Sequence, residues 1–387
     1  MNQKNFKNSK NQIYNNLTRK FIFLCKKFGI EGEFKYYKIF NDGHINSTFL
    51  VVFEEDDKEK KYVLQKINTY VFKNPKHVME NIFNVTNHIK EKLKSKGENY
   101  RRKVLKFYKT DKNLYTTDEN NDCWRLYRFI DKSVTFNNTE NLEILEETGK
   151  AFGEFQQHLN DFPAEKLNII IPHFHNTISR YQDFKNSVKE DNFNRVDDIK
   201  EEIESFLKLE KIATKMYKFQ KQGLLHLRVT HNDTKCNNVL FDEKTNKHLS
   251  VIDLDTVMPG LIGFDFGDAI RFCANSANED ETDLSQVYLD MEKYKAFTKG
   301  FLDEVASSLT KTEQETLTLG AITMTIECGL RFLTDYLNGD VYFKTNYCNH
   351  NLDRARCQLT LAEDMIEKHQ AMKDFINQYL KTKEPKQ

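Results

Sequence analysis

The spacing of apolar residues changes once along this chain, and that change limits the fold more than any other feature. Between Phe34 and Ile130 the apolar residues fall in short runs: "FKYYKIF" (34–40), "TFLVVF" (48–53), "KYVLQKI" (61–67), "VLKFY" (104–108) and "WRLYRFI" (124–130). They are rich in Val, Ile, Phe and Tyr and separated by polar turns, which predicts a small antiparallel sheet with Trp124 in its core. After Pro75, "KHVMENIFNVTNHIKEKL" sets Val78, Ile82, Val85 and Ile89 at helical spacing, so the sheet carries a helix. A leading helix is expected over Leu17–Phe28, stopped at Gly29. From Asn141 the pattern is helical, as in "LEILEETGKAFGEFQQHL", "DIKEEIESFLKLEKIATKMYKF" and "LTLGAITMTIECGLRFLTDYL". It breaks once, between about Leu225 and Gly267, for short strands and turns. The expectation is an α+β, bilobal chain: a β-rich lobe over 1–130, a joint near Asp131, and a mainly helical lobe over 131–387. Two lobes of this kind place the expected ligand site in the cleft between them.

Composition allows this and narrows the function. At 387 residues, with 39% hydrophobic residues including 30 Phe and 17 Tyr, the chain can build two cores. Lys plus Arg and Asp plus Glu are both 58, so nothing favours nucleic acid or a membrane surface as the main partner. Seven scattered cysteines without a CxxC pair suit a reducing compartment. The first apolar run, "FIFLC", is too short for a signal-peptide core or a membrane span, which makes a cytoplasmic protein the expectation. A monomer or weak homodimer is expected.

The chemistry concentrates where the helical pattern breaks, in "THNDTKCNNVLFDEKTNKHLSVIDLD" (230–255). "NVLF" and "LSVID" read as two strands joined by a polar turn. Paired as a hairpin, they bring Asn238, at the start of the first strand, beside Asp253, at the end of the second. Asp233 stands on the loop just before. Hard oxygen donors in this arrangement suit Mg²⁺, which takes few protein ligands and fills its shell with substrate phosphates. Asp233 is then left to orient and deprotonate a hydroxyl, and phosphoryl transfer asks mainly for such positioning and charge neutralisation. The plainer alternative is that Asp233 and Asn238 only cap turns.

"HNDTKCNNVLF" with "VIDLD" resembles the catalytic and metal-binding segments of the aminoglycoside phosphotransferase/choline kinase group of small-molecule kinases. "GHINSTFLV", "YVLQKINTYVFKNPKHVMENI" and "VIDLDTVMPGLIGFDFGDAIR" resemble its N-acetylhexosamine 1-kinase branch. The resemblance spans about residues 30–360 and implies a protein-kinase-like fold. It implies Asp233 as catalytic base, Asn238 and Asp253 as Mg²⁺ ligands, and ATP as phosphoryl donor. Gly43, His44, Asn46 and Gln65 would face the nucleotide. His44, Arg331 and Tyr342 would join Asp233 at the sugar, with His231 and Asp268 as structural support. Without the resemblance, Gly43 is an ordinary hairpin glycine and Arg331 a snorkelling helix residue or a hydrogen-bonding fork.

Three details qualify the pattern. The D-F-G at Asp265–Gly267 comes after the hairpin position that Asp253 already holds, so Asp265 and Asp268 are expected to cap the helix "DAIRFCAN" and brace the loop. Asp255, two residues past Asp253, is a supporting group or merely polar. On the third strand Gln65 stands where many kinases carry a phosphate-binding lysine, with Lys66 on the opposite face. Either another group holds the phosphates or the register slips to bring Lys66 in, and Glu80 would lack its usual ion-pair partner. The leading expectation is transfer from ATP to the anomeric hydroxyl of N-acetylglucosamine or N-acetylgalactosamine. The alternatives are the same chemistry on another sugar, amino alcohol or aminoglycoside, and a catalytically silent sugar- or nucleotide-binding module. A cationic substrate would want an acidic cluster, for which Glu292 and Asp303 are candidates.

Overall fold

Alternation along three neighbouring strands puts Val51, Phe53, Tyr62, Leu64, Trp124 and Leu126 on one face of a sheet. The computed structural model describes residues 3–40, 45–137 and 139–383, with side chains from residue 14 onward. The chain divides into two units, Met1–Ser133 with Asn168–Ile170, and Val134–Leu167 with Ile171–Gln387.

The sheet belongs to the first unit. Among the described residues its spatial order is β1 (Glu33–Phe40), β2 (Ser47–Glu55), β3 (Lys58–Ile67), β5 (Cys123–Arg128) and β4 (Thr116–Thr117), with antiparallel neighbours throughout. Helix α1 (Gln3–Lys27) covers the Trp124 face with Phe21, Leu24 and Cys25. It begins well before Leu17. The opposite face carries Gln65 and Arg125, which are paired in register, and there α2 (Pro75–Ser95) brings Met79 Sδ to 3.9 Å from the Arg125 guanidinium. The sheet is therefore covered by a helix on each side. "VLKFY" is not a strand. It meets β5 through the isolated Phe107–Tyr127 bridge, where the Tyr108 N–H donates to Leu126 and the Lys106 carbonyl accepts from Arg128. Its burial comes mainly from Val104 and Leu105, so the apolar composition was met with a single bridge rather than a continuous strand.

The boundary between the units falls inside the two-residue strand β6 (Ser133–Val134). The second unit continues as α3 (Leu142–His158), α4 (Thr177–Glu190), α5 (Lys200–Ala213) and α6 (Lys215–Lys221). The strand pair β7 (Arg228–Thr230) and β10 (Met258–Gly260) then brackets the hairpin β8 (Val239–Asp242) and β9 (His248–Val251). After these come α7 (Ile262–Cys273), α8 (Met291–Val305), α9 (Lys311–Leu337), α10 (His350–Glu367) and α11 (His369–Lys383). The helical run "DIKEEIESFLKLEKIATKMYKF" is broken at Thr214, and the equally periodic "NLDRARCQLTLAEDMIEKHQAMKDFINQYL" (351–380) is broken at Lys368.

Helix α9 is the core element of this unit. Among the described residues it alone is long and apolar enough to cross a membrane, but 89% of its most apolar window is buried in the fold. Its closest approach is to α7. A Cβ on Gly320 would stand 2.1 Å from the Gly263 carbonyl, and one on Gly267 2.4 Å from that of Gly320. Helices this close require glycine at the crossing. A capping box between Thr310 and Glu313 starts α9, satisfying two of the backbone N–H groups that a helix start leaves unpaired.

Candidate active site

The loop between β7 and β8 is held in place before it presents any chemistry. Asp265, buried on α7, accepts the backbone N–H of His231 at 2.8 Å and of Asn232 at 2.8 Å, and the Gln156 amide at 2.7 Å. Its own carbonyl accepts from the Thr234 hydroxyl at 2.6 Å. Asp268, one turn on, accepts the Thr234 N–H at 3.0 Å and the Arg271 guanidinium at 2.8 Å. Burial pushes the Asp265 carboxyl above its usual range despite these donors. The expected cap is corrected here: α7 begins at Ile262, so Asp265 and Asp268 lie within it and cap nothing.

From the other side, the β10 segment grips the loop. Thr256 donates to the His231 carbonyl at 2.7 Å, and the Asn232 amide donates to the Thr256 carbonyl at 2.9 Å. Asn232 sits at φ 64°, a left-handed conformation that Asn tolerates better than most residues. Gly260 is needed because a Cβ there would lie 2.2 Å from the Thr230 hydroxyl oxygen. His231 is fully buried against the rings of Phe152 and Phe155. Its Nε2 faces the Ile252 carbonyl at 2.8 Å and its Nδ1 the Asp233 N–H at 3.3 Å. A carbonyl only accepts and an amide N–H only donates, so the ring carries its proton on Nε2 and ties β9's end to the loop.

Asp233 is half-buried, with Oδ1 3.0 Å from Lys235 Nζ and Oδ2 accepting from the Asn238 amide at 3.0 Å. Burial raises its carboxyl, but the Lys235 charge and the Asn238 bond outweigh it and hold the group below the usual carboxylate range. The Asp233 charge in turn raises the Lys235 ammonium. Asn238 also donates to the Asp233 carbonyl at 2.8 Å, so its amide nitrogen is engaged and its side-chain oxygen is the atom able to ligate a cation. Val239 pairs with Val251, and the Ile252 N–H donates to the Asn238 carbonyl at 2.9 Å, so the next residue, Asp253, follows directly beside Asn238. Asp253 is exposed, two residues past the strand's end at φ 59°, which turns the chain into the next segment. Asp255 is buried in that turn.

A second group of side chains lies along α9. Lys235 feels the charges of Asp268, Glu279 and Arg271, and Arg271 pairs with Glu279 at 2.5 Å. Cys328 Sγ is 3.9 Å from the same Glu279 oxygen, and Arg331 is one turn further on. The Arg331 guanidinium is flanked by Phe174 at 5.7 Å, Tyr342 at 5.9 Å and Phe343 at 5.4 Å. Among the described residues it makes no hydrogen bond or ion pair. The structure thus brings Arg331 and Tyr342 together, with Tyr342 largely exposed.

In the first unit, Gln65 faces inward, bonding the Thr48 hydroxyl at 2.9 Å and accepting from Arg125 at 2.6 Å. Lys66 faces the other way and pairs with Asp122 at 2.6 Å, so the register does not slip. Glu80 accepts from Asn168 at 3.1 Å. Asn46 accepts the Asn68 N–H at 2.9 Å and pins the β2 entry to the end of β3. Gly43 and His44 lie outside the described residues. Glu292 pairs with Lys295, and Asp303 with Lys383 and Tyr379, so neither belongs to an acidic cluster at the site. Lys235, His175, Arg180 and Glu327 escape the sequence reading. Only Glu327 left a trace, as a charge four residues before Arg331 in an apolar helix.

The model of the phosphotransferase enzyme family (APH) matches residues 37–297. The chain belongs to that family. It is a small-molecule phosphotransferase, and the matched span contains Gln65, Asp233, Asn238 and Asp253, whereas Arg331 and Tyr342 lie beyond it. Solved structures share the fold. The aminoglycoside phosphotransferase from Alicyclobacillus acidocaldarius subsp. acidocaldarius DSM 446 superposes with a TM-score of 0.58 at 12% identity, covering 93% of this chain and 96% of that one. A microcompartment-associated aminopropanol kinase gives 0.58 at 14%, covering 87% and 93%. Spectinomycin phosphotransferase, solved with ADP and spectinomycin, gives 0.55 at 11%, covering 92% and 98%. At these identities the likeness is one of protein-kinase-like fold.

Proposed function

We propose that this phosphotransferase is an ATP-dependent kinase of the anomeric hydroxyl of an N-acetylhexosamine, giving the sugar 1-phosphate. The observation that carries this is Arg331, a guanidinium without a polar partner among the described residues and walled by three aromatic rings. A second cation, Arg180, stands close enough for the Arg331 charge to lower its pKa, after burial. A positive, aromatic wall donates hydrogen bonds to a neutral polyhydroxyl ligand and stacks on its ring. It repels the ammonium group of an amino alcohol or aminoglycoside.

Asp233 is the base in this reading. Held ionised by Lys235 and Asn238, it takes the proton of the attacking hydroxyl as the new O–P bond forms and the bond from the γ-phosphorus to the nucleoside diphosphate breaks. An anomeric hydroxyl is more acidic than an ordinary alcohol, so a carboxylate with a low pKa suffices. The donor set at the hairpin, one carboxamide oxygen and one exposed carboxylate, fits Mg²⁺. Asn238 and Asp253 would hold the ion, which neutralises charge on the phosphates when bound. ATP as donor is in line with the ADP bound to the spectinomycin phosphotransferase. A silent binding module is the second reading, favoured by the absence of a lysine at Gln65.

The test is a panel of free hexosamines, choline, ethanolamine and aminopropanol with ATP and Mg²⁺, read by ³¹P and ¹H NMR. The expected product is an N-acetylhexosamine phosphate without a reducing end. Phosphate on the 6-hydroxyl rejects the anomeric assignment, turnover of an amino alcohol rejects the substrate class, and binding without turnover supports the silent module.

A further inference from the structure

Phe174 touches three polar side chains that each keep nitrogen atoms without a hydrogen-bond partner among the described residues. Its ring packs against His175 at 4.4 Å and under Arg331 at 5.7 Å, and its carbonyl accepts from Arg180 at 3.0 Å. His175 Nε2 and Arg180 Nε are both buried without a hydrogen-bond partner among the described residues. The His175 side chain is only 9% exposed. Buried polar atoms are nearly always satisfied, so two orphans beside the Arg331 guanidinium, itself without a polar partner among the described residues, call for an explanation. A ligand supplies one.

The donor pattern identifies the group. Glu327, 1% exposed, accepts from the Thr177 hydroxyl at 2.6 Å and from His175 Nδ1 at 2.9 Å. Burial raises the Glu327 carboxyl, but the bond and charge of His175, the Thr177 bond and the Arg180 charge prevail and lower it. With Glu327 accepting at Nδ1, the imidazole carries a proton there, and an Nε2 without a proton presents its lone pair as an acceptor. The neighbouring guanidinium N–H groups can only donate. Together they offer an acceptor and donors within one cluster. A carboxylate would leave the imidazole lone pair unmatched, and an ammonium would be repelled by the arginines. An amide matches both, its N–H to His175 and its carbonyl to Arg180 or Arg331.

We propose, on the basis of the hexosamine reading above, that His175 and Arg180 form a subsite for the acylamino group of the substrate. Glu327 and Thr177 act as positioning residues that fix the imidazole tautomer. The subsite selects N-acylated amino sugars over the parent sugar and over the free amine.

The experiment compares kcat/KM for N-acetylglucosamine and glucose in the wild type, His175→Leu and His175→Gln, with calorimetric binding of both sugars to each. The wild type favours the acetylated sugar. His175→Leu lowers its kcat/KM roughly 10–100-fold, the range of one lost hydrogen bond to a buried partner, and leaves glucose nearly unchanged. His175→Gln, whose amide oxygen can replace the acceptor, recovers most of the loss. An equal fall for both sugars means a merely structural role and overturns the subsite, as does no fall at all. If the wild type phosphorylates no hexosamine, the functional reading fails, and the binding arm still decides. N-acetylglucosamine binding that His175→Leu weakens selectively supports the subsite. Equal binding, or none, overturns it.

Discussion

Asp233 shows how a single carboxylate acquires a function from its neighbours. Turn residues of this type are common, and what separates this one is a set of restraints it does not make itself. Its backbone N–H is taken by His231, its carbonyl by Lys235 and Asn238, and its two carboxylate oxygens by Lys235 and Asn238. A group fixed at this many points presents its remaining lone pairs in one direction, which is what a general base needs. Replacing it tests the role without removing the scaffold. Asp233→Asn keeps the size of the side chain and one of its two acceptor oxygens but cannot take a proton. Under the proposed function kcat falls by about 10²–10⁴-fold, the usual worth of a general base, while the thermal melting point and nucleotide affinity stay close to wild type. Steady-state turnover beside calorimetric nucleotide binding checks this, and near-full turnover rejects the role.

At the scale of elements, what was legible in the sequence was local. The hairpin joining Asn238 to Asp253 lies within a short stretch, and its strands carry their own apolar signal, so pairing followed from pattern. Strands β2 and β3 were legible for the same reason, as alternating Val, Leu, Phe and Tyr. "VLKFY" was misread because burial and strand pairing share one composition. The breaks at Thr214 and Lys368 leave the helical period intact on both sides, so periodicity passes over them. The cap expected of Asp265 and Asp268 failed because α7 starts in "IGF", where nothing in the side chains marks a beginning and Leu261 makes no capping bond. The crossing of α7 and α9 was hidden too, since Gly263, Gly267 and Gly320 gain meaning only when the two helices meet. That crossing sets where Asp265 stands, and so where the loop stands. Gly320→Ala must push the helices apart, and should cost about 1–3 kcal/mol by the usual penalty of overpacking, with lower turnover as the loop shifts. Thr323→Val, on the same helix, removes a buried hydroxyl without a partner among the described residues and should be neutral or stabilising. Thermal melts of the two variants test the pair of expectations. Equal melting points would mean that the crossing is not tight.

The whole molecule adds what no segment contains. His175 and Glu327 are separated by 152 positions, and no periodicity or motif links them, so the cluster around Phe174 needed three dimensions to be found. The same holds for a charged network that joins α3 to β9 in the second unit. His248 Nδ1 is 2.8 Å from Glu147 and its Nε2 2.8 Å from Glu154, while Lys247 and Lys150 also reach Glu147 and His158 reaches Glu154. Carboxylates at both ring nitrogens require both to donate, so the ring is held as an imidazolium. Burial opposes that charge, but the two carboxylates prevail and raise the His248 pKa to about 9. Glu304 faces the same cluster, its carboxyl raised by burial and then by Glu154. The folded pKa stands above the value near 6.5 of an unfolded histidine, so the native state binds this proton more tightly. The contribution to stability is therefore complete below about pH 6.5 and is lost as pH climbs to about 9. The shift is worth at most about 3 kcal/mol, and less to the extent that Lys247 and Lys150 already satisfy Glu147. Melting points of the wild type and His248→Gln should differ most at pH 6, with the variant lower, and converge as pH approaches 9.5. Glutamine fills the site but carries no charge to lose, so its curve should be flatter across that window. Two parallel curves would show that His248 does not set the alkaline limit of the fold.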